Sequence, residues 1–158
     1  MENVTIRNAV IEDLRPIQDI SHELFISDIN FDTHINLQWA YEDDGENEWR
    51  ERIENHNKFL CLVAEIDNEI IGCLAGLLCD EDSYRPLKRA DLRNIYVRKE
   101  HRHKGIGNKL TQQFIEWAKE KGAKKMSVET YAGNSDALEF YKEEGFLPVF
   151  ITLEADIM

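Results

Sequence analysis

One stretch of this chain constrains its fold more than any other. Asp91-Leu92-Arg93-Asn94-Ile95-Tyr96-Val97 alternates as a strand does, and Leu110, Phe114, Ile115, Trp117 and Ala118 recur at helical steps. Between them lies a basic turn with two glycines, Arg102-His103-Lys104-Gly105-Ile106-Gly107. The pattern predicts a strand, a loop, and a helix over residues 107–121 that Gly122 caps. A helix that starts at such a loop presents amides with no intrahelical partner, and its dipole adds positive potential. Gly105 and Gly107 let a bulky oxyanion approach the backbone, and Arg102 and Lys104 supply charge. The loop is therefore a candidate anion site. The same residues also fit a tight strand-to-helix turn with a solvated basic rim, and the residues alone leave both open. A dinucleotide fingerprint is a poorer fit, because Leu110 stands where its third glycine belongs. A Walker loop is excluded, since no Gly-Lys-Ser or Gly-Lys-Thr follows.

Around this centre the chain reads as one domain over residues 1–158. Val4-Thr5-Ile6-Arg7 is a short opening strand, and Ile11, Leu14, Ile17, Ile20, Leu24 and Phe25 make an amphipathic helical stripe. Pro16 fits the first turn if that helix begins near Asp13. Helix is expected around residues 37–41 and 46–54 within a polar stretch. Residues 59–66 and 70–78 form a hairpin about Asp67-Asn68-Glu69. Residues 125–130 are a further strand, and residues 134–144 a short helix capped by Asn134 or Ser135 and ended by Gly145. Residues 146–153 finish the chain in extended form. The order predicts an α/β (α+β) fold, a mixed central sheet flanked by helices.

The net charge is −12, from 31 acids against 19 bases. Such a balance excludes general affinity for nucleic acid, which needs phosphate neutralisation. It suits a cationic substrate, though acidity alone also keeps a protein in solution. Nine of the nineteen bases nevertheless fall within residues 85–109, which again marks an anion site there. No apolar run approaches the ~20 residues needed to span a bilayer, and Met1 does not open a signal-peptide pattern. Cys61, Cys73 and Cys79 form no CxxC pair and read as buried thiols. A cytoplasmic protein with no membrane partner is the simplest account. His22, His34, His56, His101 and His103 show no ligand spacing, so no metal is expected.

Asn134, Ala137, Phe140, Tyr141, Gly145 and Phe146 form a second constellation. Taken with the glycine loop, it resembles the GNAT superfamily of N-acetyltransferases. Arg102, Gly105 and Gly107 after a strand ending in Val97 match the superfamily's central signature. The C-terminal residues match its Asn-x-x-Ala-x-x-Phe-Tyr-x-x-x-Gly-Phe pattern. The resemblance implies a sheet splayed between its fourth and fifth strands around acetyl-CoA, the co-substrate. It further implies that backbone at Ile95, Tyr96 and Val97 holds the pantetheine arm and thioester carbonyl. Arg102, His103, Lys104, Gly105, Ile106, Gly107 and Asn108 would hold the diphosphate, Asn134 would contact the pantetheine arm, and Tyr141 would face the sulfur. His103 departs from the pattern, which usually has glycine there.

The implied reaction moves an acetyl group to a primary amine of a small molecule or peptide, by direct attack in a ternary complex. Tyr141 is the candidate acid for the leaving thiolate. Asp91, Glu65 and Glu129 are the carboxylates available as a base, each also readable as a structural group. Asp28, Asp32, Glu42, Asp43 and Asp44 fall where the superfamily shapes its acceptor pocket and would suit a cationic amine. Trp39 and Trp49 offer either a pocket lining or a homodimer contact, and the sequence leaves both open. A catalytically silent acyl-CoA-binding regulatory module is the alternative reading. A structural domain docking a basic partner is a third.

Overall fold

The structure, a computed structural model, describes residues 3–158, so Met1 and Glu2 of the expected domain lie outside the described residues. Five strands form one sheet in the order β1-β2-β3-β4-β5: β1 Thr5–Asn8, β2 Phe59–Ile66, β3 Glu69–Cys79, β4 Arg89–Val97 and β5 Lys125–Val128. The first four pair antiparallel and β5 joins β4 in parallel. Helices α1 Leu14–Asp28, α2 Asp43–Glu54, α3 Ile106–Glu120 and α4 Ser135–Glu143 complete it. This is the mixed, helix-flanked sheet that the pattern predicts. None of these helices is long and apolar enough to cross a membrane.

The sheet is buried on both faces because β2 carries apolar side chains on both. Cys61 and Val63 face α1 and α2 with Ile17, Ile20, Trp49 and Ile53. Leu60, Leu62 and Ala64 face α3 with Leu110, Phe114 and Trp117. Strands covered on both sides read as continuous apolar runs, as β2 and β3 do. Asp67 and Asn68 take φ of 49° and 66°, so a two-residue turn joins these strands. Pro16 is the third residue of α1, where its missing N–H costs nothing. The helix expected at residues 37–41 is reduced to a 3-10 turn, Trp39–Tyr41. It packs on Gly45 of α2 so closely that an added Cβ would lie 1.9 Å from the Trp39 carbonyl oxygen.

Two departures matter for function. In β4, Ala75 pairs with Asn94 and Gly76 with Leu92, so Arg93 is one residue too many for the ladder. This is a β-bulge. Ala90, Leu92, Ile95 and Val97 thereby all reach the α3 side, while Tyr96 reaches the other. The second departure is the C-terminus. After Gly145 the expected extended segment forms no ladder, and Leu147, Val149, Phe150, Ile151 and Leu153 are between 74% and 89% exposed. No strand of the sheet pairs with this segment.

Candidate active site

The pairing of β4 with β5 runs from Arg89↔Lys125 to Leu92↔Val128 and stops there. The strands part at the bulge, leaving residues 93–97 with one edge not taken up by β5. Backbone direction on that edge follows from the Arg98 N–H, which donates to the Ile71 carbonyl at 2.9 Å and so points to β3. Antiparallel pairing alternates, so Tyr96 also turns its amide to β3. Ile95 and Val97 turn theirs to the open edge. The Val97 carbonyl accepts from Arg102 Nε at 2.8 Å, as that geometry requires.

Beyond Val97 the chain makes a 3-10 turn, Lys99–His101, and enters α3 through Gly105. Gly105 has φ of 78°, and a Cβ there would meet nothing within 4 Å. The first amides of α3 thus face open space behind a residue with no side chain. Arg102, His103 and Lys104 are exposed around them, while the Ile106 side chain is buried in the core. The Arg102 guanidinium lies 4.9 Å from the Tyr96 ring centre, so strand backbone and ring together orient it. His103 keeps a left-handed φ of 61° and points its side chain outward, leaving the loop uncrowded. The basic cluster is not one patch. Arg98 is drawn off by Glu23 at 3.1 Å and Glu69 at 2.9 Å. A cradle of outward amides, open space and one oriented guanidinium fits a diphosphate.

Helix α4 closes the far side of the opening. Phe140 lies where a Cβ on Gly107 would come within 3.3 Å of its ring, and Asn108 Nδ2 donates to Glu144. Asn134 caps the helix by accepting from the Ala137 N–H at 3.2 Å. Tyr141 is set edge-on between Phe140 and Phe146, with ring centres 5.4 and 5.8 Å away. It packs against the same apolar cluster as Ile95 and Val97. Burial, and then the charge of Asp28, push its hydroxyl up to about 12. A hydroxyl so placed keeps its proton and donates.

Next to the bulge a cleft of about 310 Å³ is lined by Phe25, Trp39, Glu48, Arg52, Asp91, Arg93, Asn94 and Glu129, among others. Trp39 belongs to this pocket, whereas Trp49 is buried in the core and available to neither pocket nor partner. Of the candidate bases, Asp91 and Glu129 reach the cleft. Glu65 does not, being paired with Arg7 at 3.2 Å. Asp43 and Asp44 sit exposed in the first turn of α2, where they complement the helix dipole rather than the cleft. Asp32 accepts from the Tyr131 hydroxyl at 3.4 Å and Glu42 from Asn36 at 2.9 Å.

The sequence reading missed Glu48 and Arg52. Arg52 is 5% exposed, stacks 4.5 Å from the Trp49 ring, donates to Asn94 Oδ1 at 2.6 Å and pairs with Glu48. Its position within the Trp49–Ile53 apolar stripe was the available signal, because an arginine there must find partners inside.

The comparisons with known proteins agree with this geometry. The family model described as "Acetyltransferase (GNAT) family" matches residues 19–146. An uncharacterised N-acetyltransferase of Methanocaldococcus jannaschii is 27% identical over 154 residues, covering 92% of this chain and 62% of its own. A putative ribosomal protein bS18-alanine N-acetyltransferase of Bacillus subtilis is 26% identical, covering 90% of this chain and 80% of its own. A solved putative acetyl transferase from Pyrococcus furiosus superposes with a TM-score of 0.77 at 26% identity, covering 98% of this chain and all of the other. Shorter matches to three further curated relatives span 24–37% of those proteins' lengths. With strands parted at a bulge, a glycine-led helix at the opening and a family match over most of its length, the chain belongs to the acetyltransferase (GNAT) family.

Proposed function

We propose that this protein transfers an acetyl group from acetyl-CoA to a primary amine. The observation that carries the reading is the opening where β4 leaves β5 at Leu92↔Val128. The amides at the start of α3 flank it, and Tyr141 packs on the same apolar cluster as Ile95 and Val97. The diphosphate would lie on the α3 amides and Arg102. The pantetheine arm would then run along the Ile95 and Val97 edge as an added strand, with Asn134 beyond it.

In the reaction the acceptor first loses a proton, because an alkyl ammonium of pKa ~10.4 has no lone pair to attack with. Asp91 or Glu129 would take it, directly or through water. The amine nitrogen bonds to the thioester carbon, and the Ile95 N–H stabilises the oxyanion. The C–S bond then breaks, its electron pair goes to sulfur, and Tyr141 donates the proton that yields the free thiol. The amide nitrogen sheds its remaining proton to water, and Tyr141 is reprotonated from solvent. With Glu48 paired to Arg52, Asp91 and Glu129 outnumber Arg93 in the cleft and support a cationic acceptor.

The test is thiol release from acetyl-CoA with pooled polyamines, amino acids, aminoglycosides and short peptides against a blank without amine. Release with one pool, lost in Tyr141→Phe, supports the reading and names the acceptor class. Confirmed acetyl-CoA binding with no release from any pool would favour a silent acyl-CoA-binding regulatory module instead.

A further inference from the structure

The open edge of β4 turns on Asn94. It follows the odd residue of the bulge directly and pairs with Ala75 across the ladder. The peptide plane it shares with Ile95 carries the amide that faces the opening. Strand β5 has already left at Leu92↔Val128, so from here β4 is held in the sheet by β3 alone. A bulge interrupts the ladder, and a strand held there along one edge leaves the tilt of that plane loosely determined.

A side chain from another element supplies the missing constraint. Arg52 Nη1 donates to Asn94 Oδ1 at 2.6 Å. Arg52 belongs to α2, whose Trp49 and Ile53 pack with Cys61 and Val63 of β2. Strand β2 lies two strands, about 10 Å, from β4, a span that suits the longest of the basic side chains. The arginine is 5% exposed, and its guanidinium lies 4.5 Å from the ring centre of Trp49, itself buried in the core. Its other terminal nitrogen, Nη2, pairs with Glu48. Burying a guanidinium carries a desolvation cost, and an apolar residue of like volume would often pack there at no loss. Packing alone therefore gives this arginine little reason to lie where it does.

We propose that Arg52 is a positioning residue, which by holding Asn94 fixes the peptide plane that aims the Ile95 N–H at the opening. The inference rests on the reading of that amide as the oxyanion donor. Arg52 acts on it through Asn94 and not on the reacting atoms. The planar fork is what the task requires: one nitrogen reaches Asn94, another reaches Glu48, and the plane lies against Trp49. A lysine ammonium has no such plane and no fixed division of its donors. An oxyanion donor matters most once charge develops on the carbonyl oxygen, so an amide aimed wrongly lowers kcat. Binding of acetyl-CoA through the α3 amides and Arg102 is left in place.

The test joins amide NMR of the full chain to kinetics with whichever amine is acetylated. In Arg52→Lys the Ile95 amide shifts should move, while those at the start of α3 hold. Arg52→Lys and Asn94→Ala should each lower kcat by on the order of tenfold or more, with the Kd of acetyl-CoA within about twofold. The double variant should be no slower than the worse single one, because both remove the same tether. Asn94→Asp, which keeps an accepting oxygen for Arg52, should recover most of the loss. Ile95 shifts that stay put in Arg52→Lys would overturn the proposal. So would kcat losses that add in the double variant, an Asn94→Asp as slow as Asn94→Ala, or a loss carried by acetyl-CoA affinity. Should no amine be acetylated, the proposed function falls, and the shifts, read without substrate, still decide whether Arg52 sets the amide.

Discussion

Tyr141 and His103 are the residues at which local environment decides the outcome. The Tyr141 hydroxyl is buried and pushed up to about 12, so at neutral pH it can donate a proton and cannot act as a base. Replacing it with phenylalanine keeps the ring contacts and removes the donor. Turnover measured by thiol release should fall by on the order of 10²-fold with folding intact. His103 holds a left-handed φ of 61° that its side chain does nothing to support. Glycine there relieves about 1 kcal/mol of strain, net of its own entropy. Tm should rise by roughly 2–4 °C, read by calorimetry. Both residues were visible in the sequence. The strain was not, because φ depends on the path the loop takes from Val97 into α3.

At the scale of elements, legibility followed pattern strength. The β2–β3 hairpin and α3 were readable because long apolar runs and a broad stripe leave one periodicity standing. The stretch between α1 and β2 was readable only in outline: the helix expected over residues 46–54 is there as α2, but what holds it was hidden. Its polar residues are fixed by contacts made in three dimensions, such as Arg52 of α2 donating to Asn94 of β4. The candidate site divides in the same way. The phosphate loop was legible because glycines and bases are local signals. The cleft was legible only in part: Asp91 and Glu129 stood out as candidate bases, but Glu48 and Arg52 reach it from α2, far away in the chain. Gly45 is a case in point: nothing in its neighbours reveals that the Trp39 carbonyl lies against it. Gly45→Ala should cost about 3 kcal/mol or more by forcing α2 away from that turn, measured by urea unfolding.

Among the groups through which the whole molecule responds to pH, Asp13 and Tyr141 act at opposite ends of the scale. Asp13 is desolvated, yet hydrogen bonds from Arg7 at 2.7 and 3.0 Å and from the Val10 amide hold it below the ordinary carboxylate range. A depressed folded value contributes stability above the unfolded value, ~3.9, that is lost as pH falls through the depressed one. Tyr141 acts in the opposite direction. Its raised value contributes stability below the unfolded value, ~10, that is lost as pH climbs toward about 12. Urea midpoints should therefore fall at both extremes. Asp13→Asn should make the acid limb shallower and leave the alkaline one unchanged, and Tyr141→Phe should remove part of the alkaline limb, which Tyr41 and the buried Cys61 and Cys73 share.

The bulge at Arg93 has a bearing on how this chain can change its length. A pleated strand has parity: each position is odd or even, and neighbours of like parity share a side. Arg93 is a single unit that reverses the count, so that Leu92 and Ile95 fall on one side although they are three residues apart. Deleting it would leave Leu92 and Ile95 two positions apart and still on one side, with every downstream partner on β3 unchanged. What would go is the local twist that goes with an unpaired residue. Deleting Arg93 together with Asn94 would instead throw Leu92 and Ile95 onto opposite sides. Homologous strands that keep the opening should therefore keep the odd residue, although their side chains would pack without it.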